Sequence, residues 1–250
     1  MPRRRLETND LRAAWERNAG DWVRWTRDSA SLDEHYAGYH RDLFLELLPA
    51  PPARTLDLGC GEGRLTRDLA ARGYDVVAVD ASPTMVAAAR EAAPEMEIHR
   101  ADAADLSLAA ASFDLVVAFM SLQDTEDLAG AVREATRVLV PGGRLCLAIV
   151  HPLNSAGEFA AREADAEFVI SGSYLGESYF VDDLERGGET LHLESMHRPI
   201  QTYTDALAGA GLLLERLREV GLPEFADTKP YGARWRRIPL FLHLRAVNPA

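Results

Sequence analysis

The stretch Leu56-Asp57-Leu58-Gly59-Cys60-Gly61-Glu62-Gly63 decides the fold, because it carries a buried strand into a glycine-rich turn that opens a helix. Glycines in such a turn adopt positive φ, and the backbone can approach a ligand closely since no Cβ stands in the way. A tight turn without a ligand is the alternative interpretation. A dinucleotide-binding fingerprint also places glycines after a first strand.

Around this turn, short apolar runs alternate with helical patterns, as is typical of β-α-β units and a parallel sheet covered by helices. Ser82 followed by Pro83 predicts the N-terminus of one of these helices. Two later apolar runs, 212–220 and 238–247, predict additional strands. The strands predicted within the alternating region are 54–58, 75–79, 95–100, 113–119 and 144–150.

The segments that flank this region predict helices and a hairpin. Residues 8–48 predict two amphipathic helices, and three of the four tryptophans fall between residues 15 and 25. Residues 151–200 break the alternation and predict an insertion with a hairpin strand at 189–198. A last helix is predicted at 202–211, with Thr202 and Asp205 at capping-box spacing.

Composition narrows the classes of partner. The 250 residues include 39 Asp and Glu against 27 Lys and Arg, so the formal net charge is −12. This balance disfavours nucleic acid and anionic membranes, because phosphate attracts cations. Cys60 and Cys146 do not predict a disulfide framework, and no apolar run approaches the roughly 18 residues of a membrane span. We expect a soluble, cytoplasmic protein that acts on a small molecule.

Acidic residues follow the second and third predicted strands. Asp80 comes about twenty residues after the glycine turn begins, where a carboxylate can accept hydrogen bonds from the ribose hydroxyls of a nucleoside. Asp102 and Ala103 follow the third strand, where a carboxylate can accept from an adenine amino group. A single acid at a strand end is often a solvated turn residue, but the ordered set is more specific.

Five runs together resemble class I S-adenosylmethionine-dependent methyltransferases, especially small-molecule enzymes of the kind that modify natural products. The resemblance implies a doubly wound, Rossmann-like α/β fold whose seven-stranded sheet is mostly parallel with an antiparallel last strand. It implies one domain over 1–250, with an N-terminal helical lid (1–50), a cofactor-binding core (51–150), an insertion (151–200) and a segment that completes the sheet (201–250). The runs are LDLGCGEG (56–63), VVAVDASPTMVAAA (76–89), RADAADL (100–106), FDLVVAFMSL (113–122) and RVLVPGGRLCLAIVHP (137–152).

The same resemblance implies that S-adenosylmethionine is the cofactor. Gly59 and Gly61 would pass beneath its methionine part, Asp57 would support that end, and Asp80 would hold the ribose. The other implied cofactor contacts are Ala81 and Met85 against the adenine, Asp102 and Ala103 at its edge, and Phe119 beside the methionine.

Methyl transfer is an in-line displacement, so the protein needs to position its reactants and, for some acceptors, to supply a base. His151 directly follows the fifth strand, at the sheet edge where ligands bind, and is the first candidate base. His197 is the second, although it can equally be a structural imidazole. Gln123 stands where many relatives carry a histidine, so no catalytic role is transferred to it. The histidine spacing predicts no metal site.

Aromatic residues are candidates for the acceptor site. Trp22 and Tyr39 belong to an aromatic N-terminal segment that forms either ordinary helix core or a lid over the cofactor and the acceptor. Trp235 lies in a stretch, 229–245, with five basic and no acidic residues. That stretch is either a solvated guard on an edge strand or a patch that binds a carboxylate.

We therefore predict transfer of a methyl group to a small, apolar or aromatic acceptor. One rival is a nicotinamide-dependent oxidoreductase, which shares the glycine turn but must accommodate a pyrophosphate that Glu62 would repel. A second rival is a module that binds S-adenosylmethionine without catalysis, and it predicts cofactor binding with no methylated product.

Overall fold

A seven-stranded sheet forms the centre of the computed structural model, which describes residues 4–6, 10–27, 36–170, 172–186, 189–222 and 232–249. Its strand order is β6-β7-β5-β4-β1-β2-β3, and β7 runs antiparallel to both of its neighbours. This confirms the predicted fold class. The strands are β1 (Arg54–Leu58), β2 (Asp75–Asp80), β3 (Glu97–Arg100), β4 (Phe113–Phe119), β5 (Leu139–Val150), β6 (Leu213–Val220) and β7 (Phe241–Val247).

Helices lie on both faces of the sheet, as the alternating pattern predicts. The segment predicted as two N-terminal helices holds one long helix, a π-helical turn at Tyr36–His40 and one short helix, while 28–35 lies outside the described residues. The helices are α1 (Leu11–Arg27), α2 (Arg41–Leu45), α3 (Arg64–Ala70), α4 (Pro83–Ala92), α5 (Leu128–Val138), α6 (Pro152–Ala156) and α7 (Ile200–Gly209).

The core is divided by the sheet into two layers. On one face, α5 and α7 bury Val132 and Leu207 against side chains such as Leu147 of β5. On the other face, α2 and α3 bury Phe44 and Leu69 against β4 and β5. The central strands are therefore covered on both sides, which explains why their sequences are continuous apolar runs.

The start of β5 differs from the prediction. The strand begins at Leu139, five residues before the predicted start, and Leu139 pairs with Phe113 of β4. Pro141-Gly142-Gly143 then shifts the register between the two strands. The chain therefore already pairs with the sheet before this proline and these glycines.

The insertion contains two hairpins. The strand Glu189–His197 pairs antiparallel with Ser178–Arg186, which confirms the predicted hairpin strand, and Arg4–Leu6 pairs with the other side of Ser178–Arg186. A smaller hairpin joins Gly157–Phe159 to Phe168–Ile170.

Two local predictions in the C-terminal part are wrong. The helix α7 begins at Ile200 after Pro199, with no side-chain cap, and the Thr202 hydroxyl donates to Glu177 instead of capping the helix. The strand β7 is an internal strand paired on both sides, so the basic stretch around it cannot guard a sheet edge. Lys229 of that stretch lies outside the described residues.

Two other observations bear on the sequence expectations. Cys60 and Cys146 are both free thiols, and Cys146 is fully buried between sheet and helices. In the described ranges, no helix combines the length and the apolar character that a membrane span requires.

Because β4 lies at the centre of the sheet, truncation of one of its buried side chains should cause a large loss of stability. We expect Leu115→Ala to lower the free energy of unfolding by about 2–5 kcal/mol, because Leu115 is fully buried and its truncation leaves a cavity. Leu213→Ala on the edge strand β6, where the side chain is 59% exposed, is the matched control and should cost no more than about 0.5 kcal/mol. Urea unfolding measures both, and equal losses would contradict this assignment of the core.

Candidate functional site

The candidate site lies where the strand order reverses, because β1 has β2 on one side and β4 on the other. Connections from neighbouring strands diverge at such a point and leave a crevice at the carboxyl ends of the strands. The glycine turn follows β1, Asp80 ends β2, and Phe119 ends β4. The topology therefore brings the predicted cofactor residues to one edge of the sheet.

The glycine turn is held against the loop that follows β4. Gly59 has φ 76°, and its N–H donates to the Val79 carbonyl at 2.8 Å. A Cβ on Gly59 would stand 2.4 Å from the Cβ of Ser121, whose hydroxyl donates to the Leu58 carbonyl at 2.6 Å. Glycine is required at this position because a Cβ would collide with Ser121.

Gly61 is different, because its surroundings are open. Its φ is 57°, and a Cβ built on it would meet no atom of the described chain within 4 Å. The Gly61 N–H donates to Asp80 Oδ2 at 2.8 Å, so the turn is ordered although one side of it is bare. An open face of backbone on a rigid turn is suited to a ligand that approaches closely.

Asp80 and Asp57 supply negative charge beside this open face. The other oxygen of Asp80 accepts from the Ser82 N–H at 2.9 Å, and burial raises the pKa of the carboxyl. Asp57 is fully buried, accepts from the Thr66 hydroxyl at 2.6 Å, and has its pKa raised to about 7 by burial. The charge of Asp80 adds to that rise. A cation placed between the two would favour their ionised forms.

The residues predicted for the adenine lie along the next two loops. Met85 is buried at the start of α4, where its N–H donates to the Ser82 hydroxyl at 3.1 Å, and Ala81 lies half-buried before it. Asp102 Oδ1 accepts from the Ala104 N–H at 3.0 Å, and Ala103 is half-buried between them. Asp102 and Ala103 thus follow β3, as predicted.

The helix α1 lies across this edge, between α4 and the hairpin strand Glu189–His197. Its Arg12 forms an ion pair with Asp102. Its Glu16 accepts hydrogen bonds from the Ser82 hydroxyl and from the Thr84 hydroxyl, the latter at 2.6 Å. Arg12 and Glu16 therefore reach the loops that carry both predicted nucleoside acids, and neither residue was singled out from the sequence.

Phe119 lies in an aromatic cluster at the end of β4. Its ring centroid is 4.6 Å from that of His40, 4.9 Å from Phe44 and 5.9 Å from Tyr36. His40 also stacks on Phe241 with centroids 3.7 Å apart, and its buried Nε2 has no hydrogen-bond partner among the described residues. Burial lowers the pKa of His40, so its ring is neutral near pH 7. Sequence reasoning considered His40 only as a metal ligand.

The two candidate bases are both engaged by protein groups. His151 Nδ1 accepts from the Leu153 N–H at 3.0 Å, and its Nε2 lies 3.1 Å from a carboxylate oxygen of Glu219. Burial lowers the pKa of His151, although Glu219 opposes that effect. The lone pair of the neutral ring is thus already used at Nδ1.

His197 is more tightly enclosed. It is fully buried, with Nε2 2.9 Å from the Tyr174 carbonyl and Nδ1 2.7 Å from the Ser155 hydroxyl. Because a carbonyl only accepts, Nε2 carries the proton and Nδ1 accepts from the hydroxyl. This geometry favours the structural alternative, and a catalytic role for His151 or His197 stays a prediction.

The predicted acceptor residues occupy separate places. Trp22 is half-buried on α1 and makes an edge contact with Trp15, with centroids 5.7 Å apart. Tyr39 is buried next to His40, and burial raises its pKa to about 12. Trp235 packs on Phe159 of the smaller hairpin, at 5.0 Å. These three residues do not form one cluster, and their contact with an acceptor stays a prediction.

The loop after β4 is anchored by a residue that sequence reasoning missed. Arg198, 2% exposed, donates to the carbonyls of Gln123 and Thr125 at 2.9 and 2.7 Å. The Gln123 side chain in turn accepts from the Val150 N–H at 2.6 Å. Gln123 therefore ties this loop to the end of β5, which accounts for an amide at that position. Arg198 is distant in sequence, so no local pattern reveals the contact.

A cavity of about 280 Å³ lies beside α3, on the outer side of the glycine turn. Gly59, Gly61 and Asp80 are not among its lining residues, and its arginines are paired with acidic side chains or carbonyls. We therefore place the candidate site at the bare turn rather than in this cavity. The cavity is lined by Thr26, Arg27, Tyr36, Arg41, Glu62, Arg64, Arg67 and Asp68.

These features fit S-adenosylmethionine. A Cβ at Gly61 would fill space that the described chain leaves open, and the acids Asp57 and Asp80 suit a ligand that carries a sulfonium and an ammonium group. Over the described ranges, no group of three or more His, Cys, Asp or Glu side chains could hold a metal ion.

Comparison with known proteins agrees with this fit. Residues 56–147 match the model of the methyltransferase domain family. An uncharacterised methyltransferase of Mycobacterium tuberculosis is 45% identical over 101 residues, which are 40% of this chain and 41% of that protein. The chain thus matches only about two fifths of the length of these curated relatives.

Longer matches cover most of the chain. A crystal structure of an S-adenosylmethionine-dependent methyltransferase from Mesorhizobium loti has a TM-score of 0.68 and 29% identity, and covers 82% of this chain and 96% of that one. A probable S-adenosylmethionine-dependent methyltransferase of Mycobacterium tuberculosis is 30% identical over 223 residues, 81% of this chain and 78% of its own length. A relative of this identity and coverage shows the family, and the chain belongs to the S-adenosylmethionine-dependent methyltransferases.

Proposed function

We propose that the protein transfers a methyl group from S-adenosylmethionine to a small acceptor with an apolar or aromatic body. The observation that carries this proposal is the bare face of Gly61, whose N–H donates to Asp80, a carboxyl close enough to act electrostatically on the buried Asp57. When bound there, the cofactor supplies an electrophilic methyl carbon on a sulfonium. The work of the protein is then to hold the reactants in line, to exclude water and to receive a proton.

Each part of the crevice has a distinct binding task in this proposal. Gly59 and Gly61 form the floor under the methionine part, and Asp57 favours its positive charge. Asp80 accepts from the ribose hydroxyls with lone pairs that the Gly61 and Ser82 N–H groups leave free. Asp102 accepts from the adenine amino group. Ala81, Met85, Ala103 and Phe119 supply apolar contacts around these polar ones.

The N-terminal helix acts as a cover in this proposal. Glu16 fastens α1 to the loop after β2, and Arg12 fastens it to the loop after β3. Aromatic side chains on α1, Trp15 and Trp22 among them, then face the insertion hairpin and exclude water from the acceptor side. Trp22, Tyr39 and Trp235 remain the proposed acceptor contacts, in the cytoplasmic setting and natural-product chemistry that we expect.

The two rival functions, a nicotinamide-dependent oxidoreductase and a module that binds the cofactor without catalysis, make different demands on the site. The predicted repulsion of a pyrophosphate by Glu62 is weaker than expected, because Glu62 is buried and its carboxylate is 2.9 Å from Arg67 and 3.5 Å from Arg64. Family membership and the acids Asp57 and Asp80 argue against the oxidoreductase instead. Only an activity measurement distinguishes the proposed methyltransferase from a module that binds the cofactor without catalysis.

Gly61→Ala tests the floor of the crevice. We expect the affinity for S-adenosylhomocysteine to fall at least about 10-fold, because the new Cβ occupies the ligand's space. Gly142→Ala is the matched control, since Gly142 also has positive φ, 81°, and also has no described atom near its Cβ. Both variants should lose about 1–2 kcal/mol of stability from backbone strain. Calorimetric titration that finds equal affinity for the two variants would remove Gly61 from the site.

Glu16→Ala tests the role of α1 as a cover. The variant loses the hydrogen bonds to the hydroxyls of Ser82 and Thr84, so we expect S-adenosylhomocysteine to bind about 5- to 20-fold more weakly and to dissociate faster. Arg17→Ala, which removes only an ion pair to Glu194 from the same helix, is the control and should bind normally. An unchanged dissociation rate in Glu16→Ala would count against a covering helix.

The activity itself is tested with labelled S-adenosylmethionine and panels of phenols, indoles, amines and carboxylic acids. We expect calorimetry to show binding of S-adenosylhomocysteine and the label to appear in one or more phenols, indoles or amines. Binding without any labelled product would favour the module that binds without catalysis. Label in carboxylic acids alone would keep methyl transfer but contradict the proposed acceptor class.

A further inference from the structure

The turn that follows β4 places a carboxyl group between three elements that meet at the crevice. Asp124 is the last residue of the 3₁₀ turn Leu122–Asp124, three positions after Ser121, which packs on Gly59. Ser195, from the hairpin strand Glu189–His197, donates a hydrogen bond to Asp124 Oδ1. The indole of Trp15 on α1 approaches the same carboxyl. Asp124 therefore lies where the cofactor loop, the N-terminal helix and the insertion converge.

The position of Asp124 is set by the backbone around it rather than by an ion pair. Arg198 is close by, but its guanidinium donates to the carbonyls of Gln123, Thr125 and Glu126. Among the described residues, the carboxyl of Asp124 has no salt bridge, and the cation instead holds the turn in place. The carboxylate thus keeps lone pairs for a donor other than Ser195.

The surroundings of Asp124 also suit a group that gains and loses a proton near neutral pH. Burial raises its pKa to about 7, and the hydrogen bond from Ser195 and the charge of Arg198 oppose that rise. The groups that face it are Gln123 on its own turn, Trp15 on α1, Ser195 on the hairpin strand, Arg198 after that strand and Tyr203 on α7.

We infer that Asp124 is the residue that accepts the proton of the methyl acceptor, an inference that rests on the proposed function. The acceptor is then a phenol, an indole or an amine that must lose a proton to react. Its O–H or N–H proton passes to a carboxylate oxygen of Asp124, and its electron pair forms the bond to the methyl carbon. The pair of the broken carbon–sulfur bond stays on sulfur, and the carboxyl later releases its proton to water.

This assignment answers the difficulty with the histidines. His151 and His197 both use the lone pair of the neutral ring within the protein. Asp124 instead accepts a hydrogen bond from the Ser195 hydroxyl, and the side chains of Gln123 and Trp15 also approach its carboxyl as donors. A hydroxyl donor favours the ionised carboxylate, which is the form that a proton acceptor needs.

The experiment uses the full chain with the acceptor found in the labelled-methyl panel. Asp124→Asn should lower kcat about 10²- to 10⁴-fold on an acceptor that must lose a proton, while S-adenosylhomocysteine binds normally. In the wild type, kcat/KM should rise with pH through about 7 as Asp124 ionises. Asp205→Asn, an exposed site on α7, is the matched control and should change neither the rate nor its pH profile.

Ser195→Ala separates a proton acceptor from a structural carboxyl. Loss of the hydroxyl removes a hydrogen bond that lowers the pKa of Asp124, so the rising limb should move to higher pH with little change in the plateau rate. The readout independent of activity is the carboxyl ¹³C resonance in the S-adenosylhomocysteine complex. The resonance of Asp124 should titrate with a midpoint near pH 7. That midpoint should rise in Ser195→Ala, and the titrating resonance should be absent in Asp124→Asn.

Three results would overturn the inference. The first is full turnover by Asp124→Asn. The second is a slower reaction of Ser195→Ala at every pH with no movement of the limb. The third is a panel in which carboxylates, which react without deprotonation, are the sole acceptors. Each leaves methyl transfer itself intact. Failure of the wild type to label any acceptor, although it binds S-adenosylhomocysteine, would instead contradict the proposed function and the inference with it.

Discussion

The carboxylate of Asp80 is the constraint on which the site depends. One oxygen accepts from the Gly61 N–H and the other from the Ser82 N–H, so a single side chain fixes the turns that follow two neighbouring strands. Ser82 also receives the Met85 N–H and donates to Glu16 of α1. The floor of the crevice at Gly61 and the helix α1 above it are thus joined through Asp80 and Ser82. A turn ordered in this way loses little entropy when a ligand binds.

The same acids bias the site toward a cationic ligand. The carboxyl groups of the buried Asp57 and the half-buried Asp80 lie close enough that the charge of Asp80 raises the pKa of Asp57. A sulfonium or an ammonium group would relieve this repulsion, whereas a pyrophosphate would increase it. Glu62 adds little to this discrimination, because its charge is compensated by Arg64 and Arg67. The glycine turn alone is shared by both ligand classes, and the buried charges beside it distinguish them.

The sequence was sufficient for the fold and for the positive φ of the glycine turn because their signals are local. Continuous apolar runs predict strands covered on both faces, and the positive φ at Gly59 and Gly61 strongly favours glycine. Contacts between distant segments left no such signal. Arg198 anchors a loop 75 residues earlier, and α1 reaches Asp102 across 90 residues. The occupation of the His151 lone pair depends on the local path of α6, which composition does not reveal.

In the proposed function, cofactor binding and acceptor binding therefore fall on different segments along the sheet edge. The proposed cofactor floor is built from backbone and from acids on β1 and β2. The proposed acceptor side is built from the turn after β4, the N-terminal helix and the insertion, which contribute Asp124, Trp15 and Ser195. Loops tolerate substitution better than central strands because fewer buried contacts depend on them. A fold arranged in this way can change its acceptor while it keeps one cofactor, since Arg198 holds the Asp124 turn from the insertion side and Asp80 holds the turn at Gly61.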